Sequence, residues 1–267
     1  MIACGIVEER RTCRLTGSRC DLPVFCGMIV MKFGGAVLRN EDGFRCMGKI
    51  LRMAETPVLV VVSAFASATR DLEGAARLAQ KGLHEEAAAG ITALIEVHMQ
   101  LVHALFSDSP VLHSALSSFV DEARVQLLDL VTGVTITRQL TPRTLDRILS
   151  YGEFLAAHIA RHVLQSEGLD VIGVDAGHII VTTNEHGSAV PLVEKTRVRV
   201  EHDLRPLLAQ HRCVLIQGFV GKTEEGVTST MGKESSNLTA SLLGGMLGAD
   251  EIVIWTNVEG IRSADPN

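Results

Sequence analysis

Met28–Leu38 reads MIVMKFGGAVL, an apolar run that delivers a lysine, Lys32, and then two glycines, Gly34 and Gly35. An apolar run of this length ending in a glycine pair is the pattern of a buried strand that enters a tight turn. About two hundred residues later, 228–243 reads TSTMGKESSNLTASLL, where a second lysine, Lys233, stands among small residues at the opening of a helix-like run. Glycines let backbone N–H groups approach an anion closely, a lysine adds a point charge, and a helix start attracts negative charge. KFGG is neither the Walker phosphate loop nor the dinucleotide fingerprint G-x-G-x-x-G. Taken alone, a plain strand-end turn is its commoner reading. The sequence therefore raises the question of whether the two turns close on one phosphate-bearing ligand.

The pattern between them is regular. Met28–Phe33 and Val58–Val62 read as strands, the second apolar throughout, as expected when a sheet is covered on both faces. A helix is expected near Asp42–Ala54 and a small-residue loop over Ser63–Thr69. Residues 71–130 read as mostly helical with a break at Ser107–Pro110, and Pro142 opens a further helix through Leu164. Strands are expected at Val171–Val174, Ile179–Thr182, Val214–Phe219 and Glu251–Thr256, with weaker strand signals at Val190–Val193 and Val198–Val200. A helix is expected over Asn237–Leu247, and Trp255 is expected in the core. Alternating strands and helices imply a mostly parallel sheet with helices on both faces, whose ligands bind beyond the carboxyl ends of the strands.

Composition narrows the function classes. With 267 residues, 46% of them hydrophobic, the chain can bury a large core. A net charge of −6 argues against a nucleic-acid partner. No uninterrupted apolar run reaches the ~18 residues of a membrane span, so no membrane partner is expected. Cys4, Cys13, Cys20 and Cys26 crowd the head without C-x-x-C spacing, which makes a metal site there a weak reading. Residues 1–27 show no sustained period and read as a poorly structured extension, with the functional chain starting at Met28 and the cytoplasm as the default compartment.

Each candidate side chain has a bland reading beside the functional one. Glu153, at YGEFLAAHIA, could bind a ligand ammonium or simply favour a helix start. Ser63 and Thr69 could bind a carboxylate, or Thr69 could cap a helix with Asp71 in its first turn. Ser236 or Asn237 could cap the helix they open, and Thr256–Asn257 could bind a nucleotide or merely turn.

Taken in order, KFGG, VVVSAFASATRDL, LTPRTLDRILSYGEFLAA, VDAGHIIVT and the final GVTSTMGKESSNLTASLLGGMLGADEIVIWTNVEGIRSADPN resemble the aspartate kinases of the amino acid kinase family, from about Met28 to the end. The resemblance implies a three-layer α/β/α sandwich with a mostly parallel central sheet. Residues 28–212 would form mainly the substrate lobe and 213–267 the start of a nucleotide lobe. It implies ATP-dependent phosphorylation of the L-aspartate β-carboxylate, with ATP and Mg²⁺, as the first step toward lysine, threonine and methionine. In that reading Lys32 contacts the transferring phosphate, and Gly34 and Gly35 form its backbone cradle. Ser63, Thr69, Glu153 and Phe219 hold aspartate. Lys233, Ser236 and Asn237 fall on the family's GRGGSD, and Thr256 and Asn257 on its nucleotide-side TD.

The departures are specific. GRGGSD reads GKESSN here, so Lys233 replaces an arginine able to grip a carboxylate with two hydrogen bonds. Asn237 replaces the aspartate credited with orienting the catalytic lysine, and a neutral amide cannot balance a charge. TD reads TN at Asn257, Arg262 replaces a nucleotide-side tyrosine, and Ser67 replaces a glycine. The family continues beyond ADPN with the rest of the nucleotide lobe and usually two regulatory ACT domains, so a C-terminally truncated kinase domain is expected. Two functional readings follow: a working kinase domain, or a weakened or non-catalytic relative that binds ligand, self-associates or pairs with a complete kinase chain. Both place the KFGG and GKESSN turns across one cleft, with Lys32 and Asn237 within reach.

Overall fold

The computed structural model describes residues 27–256 together with the two-residue strand β1, Val7–Glu8. The remaining head residues, with their four cysteines, and Asn257, Arg262 and the ADPN end lie outside the described residues.

From Ile29 the chain runs β2 (Ile29–Phe33), α1 (Glu41–Met53), β3 (Val58–Val62), α2 (Ala68–Gln80), α3 (His84–Phe106), α4 (Pro110–Thr137) and α5 (Pro142–Ser166). Next come β4 (Val171–Val174), the single turn α6 (Ala176–Ile179), β5 (Val181–Thr182) and α7 (Val193–Arg199). A π-helical turn (Val200–Leu204) leads to α8 (Arg205–Gln210), then β6 (Cys213–Gln217), β7 (Val220–Thr223), β8 (Thr228–Thr230), α9 (Ser236–Leu247) and β9 (Glu251–Thr256). The main sheet has the order β1-β9-β2-β3-β6-β4. Its five long strands are parallel, and β1 adds antiparallel to the edge strand β9, Val7 opposite Thr256. An edge strand presents unpaired backbone groups, which any extended segment can satisfy.

The register separates the two faces. Met31, Val60, Leu215 and Gly173 align across neighbouring strands, and Gly173 meets the Arg161 side chain of α5. Val30 and Ile252 belong to the opposite parity, and both lie against Gly244 of α9. So α5 covers one face and α9 the other, which is the expected α/β/α layering. Side chains alternate along a strand, so Lys32 projects on the α9 face and Phe33 on the α5 face. Trp255 is buried, as expected, and stacks on Phe33 with ring centroids 6.0 Å apart.

Four features differ from expectation. The strand expected over Ile179–Thr182 is confined to Val181–Thr182, because Asp175 accepts a hydrogen bond from the Gly177 N–H at 3.0 Å and starts a helical turn that takes in Ile179. Residues 198–200 are helical despite their valines. Thr196, Val200, Leu204 and Leu208 recur every four residues and are all buried, so packing overrides the β-branched preference. The π-turn precedes Pro206, whose missing N–H and bulky ring disfavour a regular α-turn. The long helical stretch breaks twice, at the expected Ser107–Pro110 and, earlier in the chain, at Gly82 with φ +82°. Finally, β5, β7 and β8 form a separate small sheet. Buried Asp146 of α5 ties that sheet down by accepting from the Thr230 hydroxyl and the Gly187 N–H, with His186 Nδ1 2.8 Å away.

Among the described residues α3 is the one helix long and apolar enough to cross a membrane. Here it packs against α2 and α4, burying Ile91, Leu94, Ile95, Leu101 and Val102.

Candidate active site

The carboxyl ends of the central strands converge. The Gly34 N–H donates to the Trp255 carbonyl (3.3 Å), the Ser63 N–H to Phe33 (3.1 Å) and the Gly218 N–H to Val62 (2.8 Å). These bonds draw the KFGG turn, the loop after β3 and the turn after β6 together at one rim of the sheet. Gly35 has a steric reason to be glycine, since a Cβ there would stand 2.6 Å from the Ala64 carbonyl oxygen and 3.3 Å from that of Ala66. Backbone cannot yield as a side chain can. Gly35→Ala is expected to destabilise the protein by about 1–3 kcal/mol, read as a lowered denaturation midpoint, and an unchanged midpoint would show that the rim is looser than drawn.

α9 starts at this rim. Ser236 is buried, and its hydroxyl oxygen lies only 2.5 Å from where a Gly218 Cβ would be, so the helix N-terminus presses onto the end of β6. Neither Ser236 nor Asn237 caps α9; the cap position is Ser235, whose buried hydroxyl has no partner among the described residues. Likewise Thr69 does not cap α2. It is the second residue of that helix, with Ser67 before it donating to Asp71 Oδ2 at 2.5 Å.

A cavity of about 310 Å³ opens among Thr69, Arg70, Glu73, Glu153, Phe219, Lys233, Glu234 and Ser236. Five of the residues singled out in the sequence thus line one space: Thr69, Glu153, Phe219, Lys233 and Ser236. Ser63 stands beside the KFGG turn and is not among the lining residues. Asn237 is exposed, and Thr256 ends β9 on the strand next to β2.

Glu153 decides the chemistry of the cavity. It is 3% exposed, and its Oε1 accepts from the Ala64 N–H at 3.2 Å. Its Oε2 is buried and meets no partner among the described residues. Burial pushes its pKa up to about 8 against the opposing pull of the Ala64 N–H. A buried carboxyl with one oxygen unused is a group waiting for a donor, and a ligand ammonium would supply both the hydrogen bond and the charge that favours ionisation.

Cations stand around it. Lys233 Nζ is 3.1 Å from Glu73 Oε2, so α2 supplies its counter-charge. The Arg70 guanidinium is 83% exposed and 3.7 Å from Asp71, loosely held at the cavity mouth. Lys32 is partly buried, and desolvation lowers its pKa, while the carboxylate of Glu234 opposes that shift. Of the four non-glycine residues with left-handed backbone among the described residues, Arg138 (φ +54°) ends α4 and the other three, Phe219 (φ +67°), Glu234 (φ +66°) and Ala66 (φ +48°), lie at this rim. Such residues cost about 1–3 kcal/mol each and collect at functional sites. Here Phe219 and Glu234 line the cavity and Ala66 sits in the loop over Gly35. The Phe219 strain is fixed from both sides: its N–H donates to Thr239 Oγ1 (3.2 Å) and its carbonyl accepts from Met231 (3.0 Å).

Sequence reading missed Arg70, Glu234 and the Ser235 hydroxyl. Arg70 was legible as a cation beside Thr69. Glu234 and Ser235 were not, because their roles depend on the backbone twist of a four-residue turn.

A family model described as the amino acid kinase family matches residues 27–267. The chain is 28% identical to chloroplastic aspartokinase 1 of Arabidopsis thaliana over 98% of its own length and 45% of that protein. It is 26% identical to the lysine-sensitive aspartokinase 3 of Escherichia coli K12, covering 90% of this chain and 51% of the relative. It thus spans about half the length of the curated relatives it matches. The solved structure of E. coli aspartokinase III in complex with lysine and aspartate superposes with a TM-score of 0.79 at 26% identity, over 90% of this chain and 51% of that one. The aspartate kinase of Clostridium acetobutylicum, at 19% identity and a TM-score of 0.66 over 90% of this chain and 50% of that one, shares the fold. The five-stranded parallel sheet, its helical layers and the matched span together show that this chain belongs to the amino acid kinase family.

Proposed function

We propose that this chain carries the substrate half of an aspartate kinase site and transfers the γ-phosphoryl group of ATP to the β-carboxylate of L-aspartate. A bond forms between a β-carboxylate oxygen and the γ-phosphorus, the bond from that phosphorus to the ADP oxygen breaks, and 4-phospho-L-aspartate and ADP result. The observation that carries this reading is the unused buried Oε2 of Glu153, a residue that lines a cavity together with the cations Arg70 and Lys233. An α-amino group fits the carboxyl, and the ligand's carboxylates fit Arg70 and Lys233. The relatedness to aspartokinases favours aspartate among amino acids.

Lys32, the Gly34–Gly35 turn and the N-terminus of α9 would hold the phosphate. Phosphoryl transfer needs chiefly positioning and charge neutralisation, which a lysine and backbone N–H groups provide. Among the described residues no three acidic, histidine or cysteine side chains are grouped to hold a metal. Mg²⁺ fits this site as the ion that accompanies ATP, held mainly by phosphate oxygens and water, and it would neutralise charge on the phosphates.

Incubation with ATP, Mg²⁺ and L-aspartate is expected to release ADP only when aspartate is present, and hydroxylamine is expected to trap the acyl phosphate as a hydroxamate. Calorimetric binding of aspartate without hydroxamate would favour the non-catalytic relative. Absence of both would sink the proposal.

A further inference from the structure

Asp146 stands in the stretch LTPRTLDRILSYGE, seven residues before Glu153 on α5. Seven residues are close to two helical turns, so both carboxyl side chains lie on one face of the helix, and both are buried. We propose that Asp146 is a positioning residue for the candidate aspartate site: it holds the turn that carries Lys233 and Ser236 in place against the helix that carries Glu153. The consequence for aspartate rests on the function proposed above; the tether itself does not.

The tether joins segments far apart in the chain. Asp146 accepts from the hydroxyl of Thr230, the last residue of β8, and from the Gly187 N–H at 3.1 Å, with His186 Nδ1 2.8 Å from its Oδ2. The loop that holds Gly187 is fastened in turn to the same strand, through the Ala189 N–H on the Thr230 carbonyl at 3.0 Å. Directly after Thr230, the Met231 N–H donates to the Phe219 carbonyl at 3.0 Å. Asp146 thus fixes the strand end that leads into Lys233, Glu234 and Ser236, and through Met231 it steadies the strained Phe219. These four residues line the cavity together with Glu153, whereas Asp146 does not line it and acts on a ligand only through what it holds. Burying a carboxylate is costly, and an apolar side chain would pack α5 against β8 without that cost. What the carboxylate adds is direction. Hydrogen bonds arriving from two segments leave one geometry, where an apolar contact lets the strand end slide.

Asp146→Asn keeps the size of the side chain but brings an NH₂ group among donors, which breaks the tether. At a temperature where melts show the variant folded, calorimetric aspartate binding is expected to weaken about ten- to hundredfold, the upper figure being the scale of a misplacement of about 1 Å. ATP binding is expected to stay as in the wild type. Hydrogen exchange of the free protein is expected to quicken at the Met231 and Phe219 amides and to stay unchanged at Val60 and Val61 in the middle of β3. Thr230 supplies a conservative pair that decides the matter even if Asp146→Asn fails to fold. Thr230→Ser keeps the hydroxyl and is expected to keep aspartate affinity, whereas Thr230→Val, closer to threonine in shape, is expected to lose it. A merely structural Asp146 would weaken aspartate and ATP binding together, in step with the melting temperature, and would quicken exchange across the whole sheet. Either result, or a Thr230→Val variant that binds aspartate as well as Thr230→Ser does, overturns the proposal. A wild type that binds no aspartate overturns the function proposed above and the positioning role with it, while exchange at Met231 and Phe219 still shows whether the tether holds the turn.

Discussion

Lys32→Met is expected to lower kcat by about 10²–10³-fold while the folded protein becomes no less stable. The rate loss is the scale seen when one preorganised donor to a developing negative charge is removed. The stability side follows from burial. Desolvation lowers the Lys32 pKa, so the folded state binds the proton less readily than the unfolded chain does. Stability from this group is therefore lost as pH falls below the unfolded value, and at neutral pH the buried ammonium is a net cost. A methionine fills the same channel without a charge. Kinetics and thermal melts on one preparation check this. A Tm that collapses together with kcat would make Lys32 a packing residue, and an unchanged kcat would remove it from the chemistry.

Much of this site was legible in the sequence because strand-end logic is local. KFGG follows an apolar run, and such runs end at the rim where α/β proteins bind ligands. Thr69, Phe219, Lys233 and Ser236 each sit at or beside an element start or end, whereas Glu153 lies in the middle of α5 rather than at a helix start, and the structure gathers all five around one cavity. What escaped was set by backbone geometry. The small sheet of β5, β7 and β8 has strands of two to four residues, too short to show a period of two. The helix through Val198–Val200 was hidden because the buried stripe of Thr196, Val200, Leu204 and Leu208 emerges only when read at a spacing of four, and the intervening Val193 and Val198 are exposed. Glu234 escaped for a similar reason. In GKESSN it reads as one more exposed acid, and neither its left-handed φ nor its place among the residues lining the cavity is visible in the letters.

Glu153→Gln is expected to weaken aspartate binding about 10- to 150-fold at pH 8.5, the equivalent of about 1.5–3 kcal/mol for one charge-assisted hydrogen bond, and to leave ATP binding unchanged. Glutamine keeps the size of the side chain and can still accept from the Ala64 N–H, so the cavity wall should survive. What it loses is the capacity to become an anion. The wild-type carboxyl, with a pKa near 8, is protonated in the empty site at neutral pH and must release that proton to receive an ammonium. Aspartate affinity of the wild type should therefore rise with pH up to about 8 and then level, with proton release on binding below that point. The variant should show neither the rise nor the release. The free protein makes the opposite demand. A raised carboxyl pKa means that the folded state keeps a proton the unfolded chain has already lost, so wild-type stability falls as pH climbs from about 4.5 to about 8. Glu153→Gln should remove that decline and melt higher than the wild type at pH 8, with little difference at pH 4. Isothermal titration in buffers of different ionisation enthalpy reads the proton, and melts across the pH series read the stability. A variant that loses stability at every pH and binds both ligands poorly would assign Glu153 to the fold. One that is more stable at high pH but has lost aspartate would mean that the protein keeps an unfavourable buried acid because the substrate's ammonium needs it.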